Sequence, residues 1–196
     1  RGRLSVHLFF ISIFCYTALP MDQKVALVSC DTYTEDTLSA ALERAWELSG
    51  GVDVQGKRVL LKPNILRDAL PEKAVSTHPE FLRAVIRLVK ARGAAEIKVG
   101  DSPGHQKPGF SAKLSGLSQV ALEEGVQWVN FASERMALPV EGGRAVKEFK
   151  VTKVLSDVDL VISLPKLKTH QLMYFTGAVK NIFGVIPGVL KSPYHL

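Results

Sequence analysis

Between Lys166 and Asn181 the chain sets three lysines (Lys166, Lys168, Lys180), one histidine (His170), two threonines and an asparagine. They follow an apolar run, Asp159-Leu-Val-Ile-Ser163, and the stretch opens as Leu164-Pro-Lys-Leu-Lys-Thr-His170. Ammonium groups hold anions, and a neutral imidazole near pH 7 moves protons or binds metal. In an extended segment Lys166, Lys168 and His170 share one face, and two ammoniums beside an imidazole lower its pKa. The chemistry indicated is anion binding with acid/base capacity, with His170 and Lys180 as the catalytic candidates and Thr169, Gly177 and Asn181 beside them. Gly184 and Pro187-Gly188 lie beyond, and small residues there allow close backbone approach. The competing account is a basic solvated loop.

Three other polar groupings stand where apolar runs end. Lys62-Pro-Asn64 follows Arg58-Val-Leu-Leu61, so Lys62 is either an anion ligand or a strand-end lysine with its head in water. Asn64 is a contact or a turn residue. Thr77 most simply caps a helix that has Pro79 in its first turn, and His78 has a local role in the same turn. A helix start also attracts anions. Asp101-Ser102 breaks a third run inside Gly100-Asp-Ser-Pro-Gly104, where a metal ligand, a hydroxyl acceptor, a base or a turn cap would each fit. No dinucleotide fingerprint and no phosphate-loop motif accompanies them.

The elements that must position these groups alternate between strand and helix from Met21 onward. Strands are predicted at Val25–Ser29, Arg58–Leu61, Glu96–Val99, Gln127–Phe131 and Asp159–Ser163. Helices are predicted at Thr37–Leu48, from Thr77 to before Gly93, and near Leu117–Glu124, with a loop over Gly104–Ser115. A hairpin is expected over 139–150, a short helical turn over Val151–Ser156 and a helical stretch after Thr176. This pattern predicts an α/β fold, a mostly parallel sheet with helices on both faces, and such sheets bind ligands outside the carboxyl ends of their strands. That rule gathers Lys62, Asn64, Thr77, Asp101, Ser102, Lys166, Lys168 and Thr169 into one composite site for a small anionic metabolite. No residue is assigned as a metal ligand.

Bulk properties bound the rest. The chain has 196 residues, 46% hydrophobic and 22% charged, which suits one globular domain. The net charge of +6 is spread along the sequence and only 8% of residues are aromatic, so no nucleic-acid partner is expected. Two cysteines, Cys15 and Cys30, are too few for a cluster or zinc site and fit a reducing, cytoplasmic setting. Residues 1–20 carry Arg1, Arg3 and the apolar run Leu8–Tyr16, too short to span a bilayer. They read as an upstream extension rather than a signal. The domain is expected over 21–196, cut short at its C-terminus, and no membrane partner is expected.

Leu60-Leu-Lys-Pro-Asn64, Ser76-Thr-His-Pro79, Val99-Gly-Asp-Ser-Pro103, Leu164-Pro-Lys-Leu-Lys-Thr-His170 and Thr176-Gly-Ala-Val-Lys-Asn181 resemble, in that order, the domain of unknown function 362 family. The resemblance spans Met21 to Leu196. It implies that a ferredoxin-like [4Fe–4S] segment often follows, which would lie beyond Leu196, so no cofactor is expected within this chain. A remoter resemblance joins His170, Gly177, Lys180 and Ile186-Pro-Gly188 to the nickel-pincer lactate racemase family. It implies a 2-hydroxy acid substrate, His170 in proton exchange and Lys180 as tether of the nickel-pincer cofactor. A non-catalytic binding or scaffold module serving an iron–sulfur domain is the alternative from another class.

Overall fold

The computed structural model describes residues 7–8, 12–14, 24–104, 108–170 and 174–195. In chain order the elements are β1 (His7–Leu8), β2 (Ser12–Phe14), β3 (Ser29–Cys30), α1 (Glu35–Ser49), β4 (Arg58–Pro63), α2 (Pro79–Ala91), β5 (Glu96–Asp101) and α3 (Pro108–Leu114). There follow α4 (Leu117–Glu123), β6 (Gln127–Asn130), β7 (Arg135–Pro139), β8 (Glu148–Thr152), β9 (Leu160–Leu164), β10 (Lys168–His170), β11 (Tyr174–Thr176) and α5 (Ala178–Ile182). Short 3-10 turns cover Pro71–Lys73, Lys153–Asp157, Phe183–Val185 and Gly188–His195.

The main sheet has the order β2-β9-β4-β5-β6, with β9, β4, β5 and β6 mutually parallel and β2 antiparallel on the β9 edge. Central strands of such a sheet are covered on both sides and therefore apolar along their whole length. Val59, Leu60 and Leu61 are fully buried. Alternation sends Val59 and Leu61 into a core shared with Leu38 and Leu42 of α1, Leu82 and Ile86 of α2, and Val120 of α4. Leu60 instead joins Phe131, Val151, Val185 and Ile186 on the other face. That second face is covered by the β7–β8 hairpin and the segments around the 3-10 turns, whereas α1, α2 and α4 lie on the first.

Strand order also locates the crevice. From β4 the chain steps through α2 to β5 and on to β6, but β9 returns to the opposite side of β4. The order thus reverses at β4, the kind of switch point outside which α/β sheets hold ligands. At the other end Arg58 and Asp159 set the β4–β9 register. The Asp159 carboxylate accepts from Arg58 N (2.9 Å), Nε (3.1 Å) and Nη2 (2.7 Å), and Asp159 N donates to Arg58 O at 2.8 Å. Those hydrogen bonds from Arg58 pull the Asp159 carboxyl down to about 2.

The α/β reading with its parallel sheet holds, and the structure corrects several details. Val25 and Leu27 are 81% and 64% exposed, and of the predicted strand Val25–Ser29 only Ser29 is strand, in β3 with Cys30 and paired with β1. An apolar run without a sheet neighbour to bond has no reason to extend. Within the stretch read as the Gly104–Ser115 loop, α3 forms; residues 105–107 lie outside the described residues. Thr77 does not cap α2. His78 does, its Nδ1 accepting from Glu80 N at 3.2 Å, because the Thr77 hydroxyl is drawn away to Leu164 O at 2.6 Å. Lys168–His170 and Tyr174–Thr176 pair as antiparallel strands β10 and β11, which fits the extended segment expected there over the solvated loop. Cys30 is buried, and burial pushes its thiol up. Apart from His7–Leu8 and Ser12–Phe14, the segment 1–20 lies outside the described residues, Cys15 included.

Candidate functional site

Lys62 continues the alternation of β4 onto the Leu60 face, yet it is 0% exposed. A buried ammonium is stable only when paired and hydrogen-bonded. Lys62 Nζ meets Asp101 Oδ1 at 2.5 Å, Pro63 O at 3.2 Å and Asn181 Oδ1 at 3.3 Å, which engages all three of its donors. Burial lowers the Lys62 pKa, and Asp101 opposes that. Asp101, 2% exposed, uses its second oxygen to accept Ile65 N at 2.7 Å. Asn181 Nδ2 donates to Lys62 O and Ser163 Oγ, both at 3.0 Å, so α5 is stitched to β4 and β9. Gly184 closes over the pair: a Cβ there would lie 2.4 Å from both Lys62 Nζ and Asp101 Oδ1.

Above this buried pair lies a cleft of about 630 Å³ at the carboxyl ends of β4, β5 and β9. Lys168, Lys180 and Lys191 line it together with His170 and Thr176. Lys168 Nζ donates to Asn64 Oδ1 at 2.7 Å and to Val75 O. Lys191 Nζ donates to Ser102 O at 2.6 Å, while Ser102 Oγ accepts from Gly188 N at 2.8 Å. Lys180 Nζ stands 4.7 Å over the Phe183 ring. Burial depresses all three lysines. Lys168 falls to about 8, with repulsion from Lys166 adding to burial and Asp101 opposing. Lys191 falls to about 8, Asp101 again opposing while Lys62 and Lys180 repel it. Lys180 is lowered by burial and by Lys62. Among the described residues, Asp101 is the only side-chain carboxylate lining the cleft. Thr176 Oγ1 is buried with no hydrogen-bond partner, a state that a bound ligand would relieve.

Of the residues proposed from sequence, Lys62, Asn64, Asp101, Ser102, Lys168, His170, Lys180 and Asn181 meet at this cleft. Four do not line it. Lys166 reaches back to Tyr33 OH at 3.4 Å, beside a Tyr33–His78 ring stack with centroids 3.7 Å apart. Thr77 is buried and joins Asn64 N (2.8 Å) to Leu164 O, tying the end of β4 to that of β9. Thr169 is exposed on the other side of β10, and Gly177 is the residue that caps α5. Lys191 and Thr176 escaped the sequence reading as site residues. Thr176 stood inside the polar stretch, so the signal was present; Lys191 follows the Pro187-Gly188 turn with no pattern of its own.

The donors present do not suit an iron–sulfur cluster. A [4Fe–4S] centre takes four cysteines and the chain has two. Among the described residues no three His, Cys, Asp or Glu side chains gather as a metal site, and no helix is long and apolar enough to cross a membrane.

The family model described as Domain of unknown function (DUF362) matches residues 59–196. The thylakoid-associated protein sll1697 of Synechocystis sp. (strain ATCC 27184 / PCC 6803 / Kazusa) is 33% identical over 179 residues, covering 90% of this chain and 54% of that protein. The chain thus spans about half the length of that curated relative. No solved structure matches. The chain belongs to the DUF362 family.

Proposed function

We propose that this DUF362 member binds a small anionic metabolite in the cleft at the carboxyl ends of β4, β5 and β9. One observation carries the reading. Lys168, Lys180 and Lys191 converge on a cleft whose one lining side-chain carboxylate, among the described residues, is already paired with Lys62. An anion there offsets charge that burial penalises, and it draws the lysines' pKa values back up. His170, on the same wall, supplies the acid/base group if the ligand is turned over. In longer family members a following ferredoxin-like segment would add electron transfer to this binding step.

Thermal-shift and calorimetric titration with a panel of carboxylates and phosphates test the reading. Stabilisation by at least one of them is expected, and Lys180→Ala should remove it. The pH dependence has a definite sign. Lys168 and Lys191 are charged below about 8 and lose their protons above it. Affinity should therefore be greatest below pH 8 and fall as pH rises through it, with proton uptake on binding near pH 8. A panel that stabilises nothing at pH 7 would sink the proposal.

A second reading draws on His170 and Lys180 lining one cleft, ten positions apart. In it Lys180 would tether a nickel-pincer group, which would supply hydride chemistry when bound, and His170 would shuttle the substrate proton. Metal analysis of protein expressed with nickel and the cofactor pathway decides: protein recovered without nickel ends this reading.

A further inference from the structure

One wall of the cleft is a face of the β10–β11 pair. Lys168 stands opposite Thr176, and Thr169 opposite Phe175. Residues directly opposite share a face, with Cβ atoms about 5 Å apart, and the next pair along points the other way. The side chains follow that alternation: Lys168, His170 and Thr176 line the cleft, whereas Thr169 and Phe175 are exposed.

Two hydrogen-bond donors on this face remain unmet among the described residues. Thr176 is 4% exposed, and its Oγ1 is buried with no partner. A hydroxyl shut away from water and left unbonded carries a desolvation cost that a valine of the same shape would not. The second donor belongs to Lys168. Its ammonium has three N–H groups, and two of them go to Asn64 Oδ1 at 2.7 Å and to the Val75 carbonyl. Both acceptors lie between β4 and α2, so the ammonium is fixed in place with one N–H to give. Asp101 acts on it through charge and takes up no donor. The methyl and hydroxyl of a threonine are close in size, so a turn about χ1 swings Oγ1 toward the cleft with little repacking.

We infer that Thr176 is a ligand-contacting residue, its hydroxyl donating to an oxyanion group, a carboxylate or a phosphate, that also accepts from its cross-strand neighbour Lys168. This rests on the anion-binding reading above and deepens it, assigning the wall on which the charged group sits and a neutral donor within that seat. An oxyanion brings the lone pairs that both donors lack, whereas an ammonium ligand brings only more donors.

Thr176→Val removes the hydroxyl and keeps the shape, and Thr176→Ser keeps the hydroxyl. In urea the ligand-free Thr176→Val protein should unfold at the wild-type midpoint or above it, the reverse of what a hydroxyl bonded within the fold would give. Calorimetric titration of the full chain at pH 7 with acetate, succinate and inorganic phosphate reads the contact itself. Whichever of them binds wild type should bind Thr176→Val at least about tenfold more weakly and Thr176→Ser within about threefold. The same titrations separate carboxylate from phosphate by which one binds. Thr176→Val protein that binds as tightly as wild type overturns the assignment and leaves anion binding standing. A ligand-free Thr176→Val midpoint clearly below wild type overturns it too, since the hydroxyl then has its partner inside the fold. So does Thr176→Ser losing as much affinity as Thr176→Val, which traces the effect to the methyl. If none of these anions binds wild type, both readings fall.

Discussion

Asp101→Asn is expected to lower the unfolding free energy by about 3–5 kcal/mol at pH 7, the usual cost of stranding one member of a buried ion pair. The carboxylate serves two donors, Lys62 Nζ at 2.5 Å and Ile65 N at 2.7 Å. An amide has one oxygen, so whichever donor it serves, its NH2 faces the other. Lys62 then keeps a charge in a site with no exposure. Deprotonation relieves part of this, and the sign of the pH effect follows. Removing the carboxylate lowers the Lys62 pKa further below its ordinary 10.5, so the folded variant binds fewer protons than the unfolded chain up to that pH. The deficit should shrink as pH rises toward 10.5. Lys62→Met combined with Asp101→Asn should recover much of the loss, because removing both charges is far cheaper than removing one. Urea denaturation of the three proteins measures all of this. Single-variant stability equal to wild type would show that the pair is not what holds the strand ends together.

Gly184→Ala tests the same place by volume alone. Gly184 is not among the glycines with positive φ, so the backbone accepts an alanine there and only space opposes it. Its Cβ would sit 2.4 Å from Lys62 Nζ and Asp101 Oδ1, and 2.7 Å from Lys62 Cε. Lysine ends usually swing aside, but this one is held by three acceptors. Either the α5 turn lifts off the sheet or the pair opens, at about 1–3 kcal/mol for overpacking and more where the pair breaks. Gly104→Ala is the control: it lines the same cleft, its Cβ would meet nothing within 4 Å, and a change within about 0.5 kcal/mol is expected. Equal midpoints for the two variants in urea would contradict the close approach at Gly184.

What could be read from sequence divides along the range of the interactions. Periodicity marks α1, α2 and the buried strands because each pattern is local and each apolar face needs the core. The rule that ligands sit past parallel strand ends found Lys62, Asn64, Asp101, Ser102 and Lys168 before any coordinates. The same rule could have paired Lys62 with Asp101, since β4 and β5 are neighbours and both residues stand at their ends. It was instead the burial of Lys62 that turned an apparent anion ligand into a support. Thr77 was misread because its hydroxyl bonds a carbonyl 87 positions away, which no local cap preference weighs. Lys166 left the site because Tyr33, 133 positions earlier, comes alongside it. The β10–β11 pair has three residues on each side, too few for an alternation to show.

The reversal of strand order at β4 also sets a timetable for assembly. β4, α2, β5, α4 and β6 follow one another closely and can associate as soon as they exist. β9 must then insert beside β4 across about a hundred residues, as the Arg58–Asp159 clamp shows with its separation of 101. Contacts of that range are slow to form, because loop closure precedes any gain from them. Asn181 reaches Lys62 over 119 positions, later still. During synthesis Lys62 therefore waits with only its early partners, Asp101 and the Pro63 carbonyl, while the wall carrying Lys168, Lys180 and Lys191 has yet to be made. A chain stalled before Leu160 would own half a sheet, one exposed apolar edge on β4 and no cleft, a species for chaperones to shield.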